Sequence, residues 1–271
     1  MKVFVFNSEK CNGCYGCQLA CKDEHVDNAW PPYAKPQPDT GHFWLKLNEK
    51  EHGQIPKVRV EYTPVTCMHC DKPACKSAAG DMVYKRDDGL VIIDPEKSKG
   101  AKSLPDSCPY GAIYWNEKLD VPQKCTGCAH LVDEGKLPHC VDLCATGAWR
   151  FGDLEDFTDE IAQAEIMKPE TGQGPRVYYM NMPRLFIGGE VWDPKENEVI
   201  EGATVKLKNE ANGAELTINS DEFGDFWFKK LNQGRYTLSI NAKGFKGLEK
   251  TGIELNESLN IGDFPLERDG H

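Results

Sequence analysis

Four cysteines packed into Cys11-Asn-Gly-Cys14-Tyr-Gly-Cys17-Gln-Leu-Ala-Cys21 constrain this chain more than any other stretch. The C-x2-C-x2-C-x3-C spacing puts three thiolates on one tight loop around a 4Fe–4S cubane and sends the fourth to a second cubane. Gly13 and Gly16 let the backbone wrap closely around an inorganic core. Zinc also takes four cysteines, but this run is an iron–sulfur pattern rather than a zinc or disulfide one.

The remaining cysteines repeat the theme. A second group, Cys67-Met-His-Cys70-Asp-Lys-Pro-Ala-Cys75, reads C-x2-C-x4-C, with Ala79 where a further cysteine would close it. A third stretch ends in Cys108-Pro109, and its other ligand positions, counted back at the same spacing, are Ser98, Ala101 and Leu104. The fourth group is Cys125-Thr-Gly-Cys128 followed by Cys140 and Cys144. His69 lies among thiolates that already serve as ligands, so it is expected to pack or to support them. Lys124 is a candidate counter-charge, against the plainer alternative of a solvated lysine.

In two-cluster proteins of this pattern the last cysteine of each motif ligates the other motif's cluster. Pairing the first group with the fourth gives Cys11, Cys14, Cys17 and Cys144 for cluster one, and Cys125, Cys128, Cys140 and Cys21 for cluster two. Pairing the second with the third gives Cys67, Cys70, Cys75 and Cys108 for cluster three. The remaining set, Ala79, Ser98, Ala101 and Leu104, has no sulfur at all, a lost fourth site. Random drift would strand single cysteines. Here all twelve fall into complete sets, so the expectation is three 4Fe–4S clusters.

Composition narrows the setting. The chain has 271 residues, enough for two domains, and a formal net charge of −11, which excludes nucleic acid as an obvious partner. No run of apolar residues is long enough to span a membrane. The opening MKVFVFNSEK alternates like a strand and does not read as a secretory signal. Cysteines clustered in this way, without a signal, point to metal ligation in a reducing, cytoplasmic setting rather than to a disulfide scaffold. Strands are expected at Phe43–Leu47, Val58–Tyr62, Leu90–Ile93 and Arg176–Tyr179, and a surface helix over Asp153–Ile166 capped at Asp156 or Thr158.

From about Leu185 onward short period-2 runs alternate with Asp, Asn, Gly and Pro turns, the pattern of a small β-sandwich. Trp192, Phe226, Phe228 and Tyr236 are expected in its core. Trp227, one residue out of phase, is expected to face solvent or a partner. The expected fold class is α+β: a tandem bacterial-ferredoxin-like domain over 1–184, then an all-β, transthyretin- or immunoglobulin-like sandwich over 185–271.

Laid out in this way, the four cysteine groups, with Asp88-Gly-Leu-Val-Ile-Ile-Asp-Pro95, Cys108-Pro-Tyr-Gly-Ala112 and Arg176-Val-Tyr-Tyr179, resemble the iron–sulfur subunits of the DMSO reductase family of molybdopterin enzymes. Two departures, the missing cluster site and the appended sandwich, together with Asp23-Glu24-His25, Gly41-His42 and Cys67-Met-His-Cys70, resemble its transhydroxylase and catechol dehydroxylase branch. The resemblance implies an electron-transfer subunit without catalytic residues of its own. It implies a heteromeric complex with a large subunit carrying molybdenum or tungsten with molybdopterin guanine dinucleotide and acting on a phenolic ring. A scaffold whose clusters do not cycle, or a subunit of another reductase of the family, is the alternative. Export alongside a signal-bearing partner is the alternative to the cytoplasm.

Overall fold

In the computed structural model the described residues are 1–270. They form two compact units: residues 1–49 with 62–182, and residues 50–61 with those from Pro183 onward. A single cut between 184 and 185 therefore leaves out one piece, because the tip of an early hairpin groups with the C-terminal unit.

The first unit runs through β1 (Lys2–Asn7), α1 (Gly16–His25), the hairpin β2 (Leu45–Gln54) and β3 (Lys57–Thr66), α2 (Ala74–Ala79), β4 (Val83–Lys85), β5 (Val91–Ile93), β6 (Tyr114–Asn116) and β7 (Val121–Gln123). It continues with α3 (Ala129–Asp133), α4 (His139–Asp142), β8 (Trp149–Asp153), α5 (Thr158–Ile161) and β9 (Val177–Met180). Its regular elements are short because the cysteine loops take up much of the sequence. Val3, Phe4, Val5 and Phe6 of β1 are all buried, so this strand is covered on both faces. It accordingly sits in the middle of its sheet, antiparallel to β8 and parallel to β9. The core on its Phe4/Phe6 face contains Trp149, Phe151 and Tyr179, together with the sulfurs of Cys21, Cys67, Cys70, Cys125 and Cys140. Aromatic packing and thiol placement are thus one problem for this chain.

The helix expected over Asp153–Ile166 is cut short. Residues Leu154–Phe157 form a 3₁₀ turn, in which the Asp156 carboxylate turns back to accept the Asp153 N–H at 3.1 Å. α5 ends at Ile161 because Glu165 and Tyr179 exchange two backbone hydrogen bonds of 2.8 Å, which draws the chain off the helix and onto β9.

The second unit adds β10 (Leu185–Asp193), β11 (Glu198–Val199), β12 (Thr204–Asn209), β13 (Glu215–Asn219), β14 (Asp225–Leu231), β15 (Gly234–Asn241), β16 (Leu248–Leu255) and β17 (Leu259–Pro265). One sheet places β11, β14 and β17 around β10, and the other runs β13-β12-β15-β16. Ile187, Val191, Phe226, Phe228 and Phe264 of the first sheet share one buried cluster with Val205, Leu207, Leu238, Ile240 and Leu255 of the second. Phe226, Phe228 and Tyr236 are core, as their phase requires. Trp192 is not: it alternates with buried Val191 and is half-buried on the other face of β10.

Trp227 does not point to open solvent. Its ring packs against Phe186 with centroids 5.0 Å apart, and Lys57 and Arg59 of the hairpin tip lie over it at 5.5 and 5.4 Å. The Lys57 amine also pairs with the Asp225 carboxylate. The residue's partner is another segment of the same chain.

Candidate metal centres

The opening C-x2-C pair of three cysteine groups (Cys11–Cys14, Cys67–Cys70 and Cys125–Cys128) is built on the same turn. The residue two after the first cysteine has a left-handed backbone: Gly13 at φ 70°, His69 at φ 44° and Gly127 at φ 67°. That twist aims its N–H back at the preceding sulfur, with His69 N 3.5 Å from Cys67 Sγ and Gly127 N 3.3 Å from Cys125 Sγ. The Gly13 N–H likewise favours the charged form of Cys11. Glycine suits the position because the left-handed region costs other residues about 1–2 kcal/mol. At Gly13 there is also no room, since a Cβ would lie 2.2 Å from the Tyr62 ring. His69 accepts the strain inside a fixed socket, stacked 6.0 Å from Phe4 and taking the Val91 N–H on Nδ1 at 3.0 Å.

Folding brings together thiols from cysteine groups far apart in the sequence. Cys17 is within electrostatic reach of Cys11, Cys14 and Cys144. Cys70 senses Cys67, Cys75 and Cys108. Cys140 senses Cys128, Cys21 and Cys125. The first group lines one cavity with Phe6, Leu47 and Trp149, and the second lines another with Val91, Ile113 and Lys124. Among the described residues no three His, Cys, Asp or Glu side chains converge on a point that would seat one metal ion. Burial pushes the thiols of Cys17, Cys70 and Cys128 up to about 12, and those of Cys21 and Cys140 well above their ordinary value. Such groups stay protonated until a cationic core displaces the proton.

Hydrogen-bond donors face the sulfurs in a way that suits 4Fe–4S ligation. His25 is almost fully buried against Trp44, with Nε2 3.8 Å from Cys128 Sγ, and burial lowers its pKa to about 3, so the ring is neutral. Because His69 Nδ1 is an acceptor, the proton is on Nε2, which is buried and has no partner among the described residues. Trp149 donates its indole N–H to Cys140 Sγ at 3.3 Å and its backbone N–H to Cys144 Sγ at 3.4 Å. Glu24 ties α1 to α3 and α4, with its two oxygens 2.9 Å from His130 Nε2 and from His139 Nδ1. Lys124 is no solvated lysine: it is 3% exposed and lines the Cys67–Cys108 cavity.

The sulfur-free set is also assembled by the fold. Ala79, Ala101 and Leu104 meet in an apolar cluster with Cys75, Val83, Val91, Ile93 and Ile113, and Ser98 is wholly buried. Gly100, at the position matching Gly13 and Gly127, keeps the left-handed turn at φ 81°. The loop keeps that one left-handed position, although the Gly100 N–H donates to the Asp120 carbonyl at 2.9 Å.

Sequence reasoning found every cysteine but missed Trp149, His130 and His139. A tryptophan five residues after Cys144 carries no signal of its own, because its indole is aimed by β8 and by Phe4, which stacks on it at 5.3 Å.

Thiol-lined spaces, donors turned toward sulfur and a ferredoxin-like first unit define an iron–sulfur electron-transfer protein of the 4Fe–4S class. Residues 58–154 match the family model for a 4Fe-4S dicluster domain, and residues 187–266 that for a carboxypeptidase regulatory-like domain. The sequence is 38% identical to the pyrogallol hydroxytransferase small subunit of Pelobacter acidigallici, over 97% of this chain and 98% of the relative. It is 30% identical to a tetrathionate reductase subunit of Salmonella typhimurium, over 68% of this chain and 74% of the relative. With a subunit of the anaerobic dimethyl sulfoxide reductase of Escherichia coli it shares 34% over 61% of this chain and 80% of the relative. The protein belongs to the iron–sulfur subunits of the DMSO reductase family of molybdopterin enzymes. No helix among the described residues is long and apolar enough to cross a membrane.

Proposed function

We propose that this chain is the electron-transfer subunit of a cytoplasmic, heteromeric molybdopterin oxidoreductase that moves or removes a hydroxyl group on a phenolic ring. The observation that carries this reading is the likeness to the pyrogallol hydroxytransferase small subunit, which extends over 97% of the chain and so includes the sandwich. The likeness to the dimethyl sulfoxide reductase subunit covers 61%. The partner in this reading is a large subunit carrying molybdenum or tungsten with molybdopterin guanine dinucleotide, and it does the ring chemistry.

In this reading the ligands of cluster one are Cys11, Cys14, Cys17 and Cys144. Those of cluster two are Cys21, Cys125, Cys128 and Cys140, and those of cluster three are Cys67, Cys70, Cys75 and Cys108. When bound, each cubane accepts and passes on one electron. The protein's own work is to hold the thiolates apart at fixed positions, to keep water off the buried sulfurs and to tune them with N–H donors. Support comes from the mutual proximity within each foursome and from N–H donors placed against Cys67, Cys125, Cys140 and Cys144. The set Ala79, Ser98, Ala101 and Leu104 is read as a former cluster site filled by apolar side chains, which suits its place in a packed core.

Two measurements test this. Iron and sulfide analysis of the anaerobically produced chain should give about twelve iron atoms. About eight or about sixteen would overturn the cluster count. The complex should turn over polyhydroxylated benzenes, with cluster EPR signals changing during turnover. Turnover of dimethyl sulfoxide or tetrathionate alone would overturn the phenolic substrate, and EPR signals that never respond would overturn the electron-transfer role.

A further inference from the structure

We propose that Trp149 sets the potential of cluster two apart from that of cluster one, because its side chain serves a ligand of cluster two and only its backbone serves cluster one. This rests on the ligand sets given above. The indole Nε1 is 3.3 Å from Cys140 Sγ, whereas the same residue's backbone N is 3.4 Å from Cys144 Sγ. Trp149 is 2% exposed, so neither bond competes with bulk water. Its ring is fixed by stacking on Phe4 at 5.3 Å and by Phe6 at 5.9 Å. Phe4 in turn stacks 6.0 Å from His69, whose backbone serves Cys67. The indole therefore has little freedom to turn away.

A donor aimed at a ligating sulfur stabilises the more negative, reduced cluster and raises its potential. In a buried site the effect is larger than in water, since the dipole acts through a lower dielectric. The two donors of Trp149 are separable by mutation. Every amino acid except proline supplies the backbone N–H, and only the tryptophan supplies the indole. Trp149→Phe thus removes the bond to Cys140, leaves the one to Cys144 and keeps an aromatic ring against Phe4.

The test is an EPR-monitored redox titration of the intact complex and of its Trp149→Phe variant. Cluster two is assigned as the signal lost in Cys21→Ala. The expected result is about a tenfold fall in the reduced-to-oxidised ratio of cluster two at fixed potential, equivalent to about 59 mV for one electron, with cluster one unmoved. An unmoved cluster two, or an equal shift in both clusters, would overturn the proposal, because a general packing defect has no reason to single out one of them. Should the variant not assemble, the complex with native sequence carrying ¹⁵N in its indole rings gives a second readout by ENDOR. Coupling to cluster two and none to cluster one supports the proposal, and the reverse, or no coupling, overturns it. If no signal disappears in Cys21→Ala, the ligand sets fail and this inference falls with them. That outcome is distinct from three intact clusters with unchanged potentials.

Discussion

The ammonium of Lys124 lies 3.0 Å from the carbonyl oxygen of Cys125 and also donates to the carbonyl of Val91, inside the protein. No carboxylate is paired with it among the described residues. An interior cation held only by carbonyls is costly unless an anion stands nearby. The groups within its electrostatic reach are the thiols of Cys75, Cys108 and Cys125, which become anions on ligating a cluster. Lys124→Met should therefore lower the midpoint potential of cluster three by more than Trp149→Phe lowers that of cluster two, since a full charge outweighs a dipole. Redox titration of the variant complex checks this, and an unchanged or raised potential would count against it.

Cross-ligation makes a prediction about distance along the chain. Cys21 follows directly on the first cysteine loop, yet its thiol couples to Cys125 and Cys128. Cys21→Ala should abolish cluster two while the cluster held by Cys11, Cys14 and Cys17 survives. Iron content should fall from about twelve to about eight atoms, one cubane's worth. Loss of the Cys11–Cys17 cluster first would contradict the pairing.

The sandwich has a pH-sensitive clasp. Burial alone would raise the Asp193 carboxyl, but the Arg268 guanidinium, 2.6 Å away, and the backbone N–H of Lys195 at 2.9 Å outweigh it and hold the group below its usual range. A carboxyl depressed on folding stabilises the native state above its unfolded pKa, and that contribution is lost as pH falls through the folded one. Asp193→Asn should accordingly lower the unfolding temperature at neutral pH, and the difference from native protein should close in strong acid. Parallel melting curves for the two proteins that stayed equally separated down to low pH would rule the clasp out.

Leu238 on β15 is completely buried between the sheets, in the cluster that includes Val205, Phe226 and Leu255. Leu238→Ala deletes methyl groups from a site with no route to collapse, and it should cost about 2–5 kcal/mol. Calorimetry on the holoprotein should place this loss in the transition of the second unit. A cost under about 1 kcal/mol would mean that the site repacks.

What could be read from sequence divides along the range of the forces involved. The cysteine groups stand out in the sequence because ligation imposes a local spacing, and the strands of the sandwich because a two-sided core imposes period two. Trp192 failed that reading: two consecutive glycines, Gly188 and Gly189, are buried alongside its neighbours, so burial in β10 does not alternate cleanly. The helix at Asp153–Ile166 failed because two hydrogen bonds from Tyr179, distant in sequence, decide where it stops. Trp149 was opaque for the same reason, its ring being set by Phe4, and Lys124, readable as a candidate counter-charge, owes its burial in part to Val91, far along the chain.

The strand at the centre of the first sheet is made long before its two neighbours. β1 stays without either sheet neighbour until residues 149–153 and 177–180 have been synthesised. At ribosomal rates of roughly 5–20 residues per second, that is a wait on the order of ten seconds. Throughout it, Val3, Phe4, Val5 and Phe6 are an apolar run of high strand propensity without its native cover, the kind of segment that aggregates or recruits a chaperone. A nascent chain stalled short of β8 should therefore be the species most prone to aggregation, and its N-terminal strand the segment that a holdase grips.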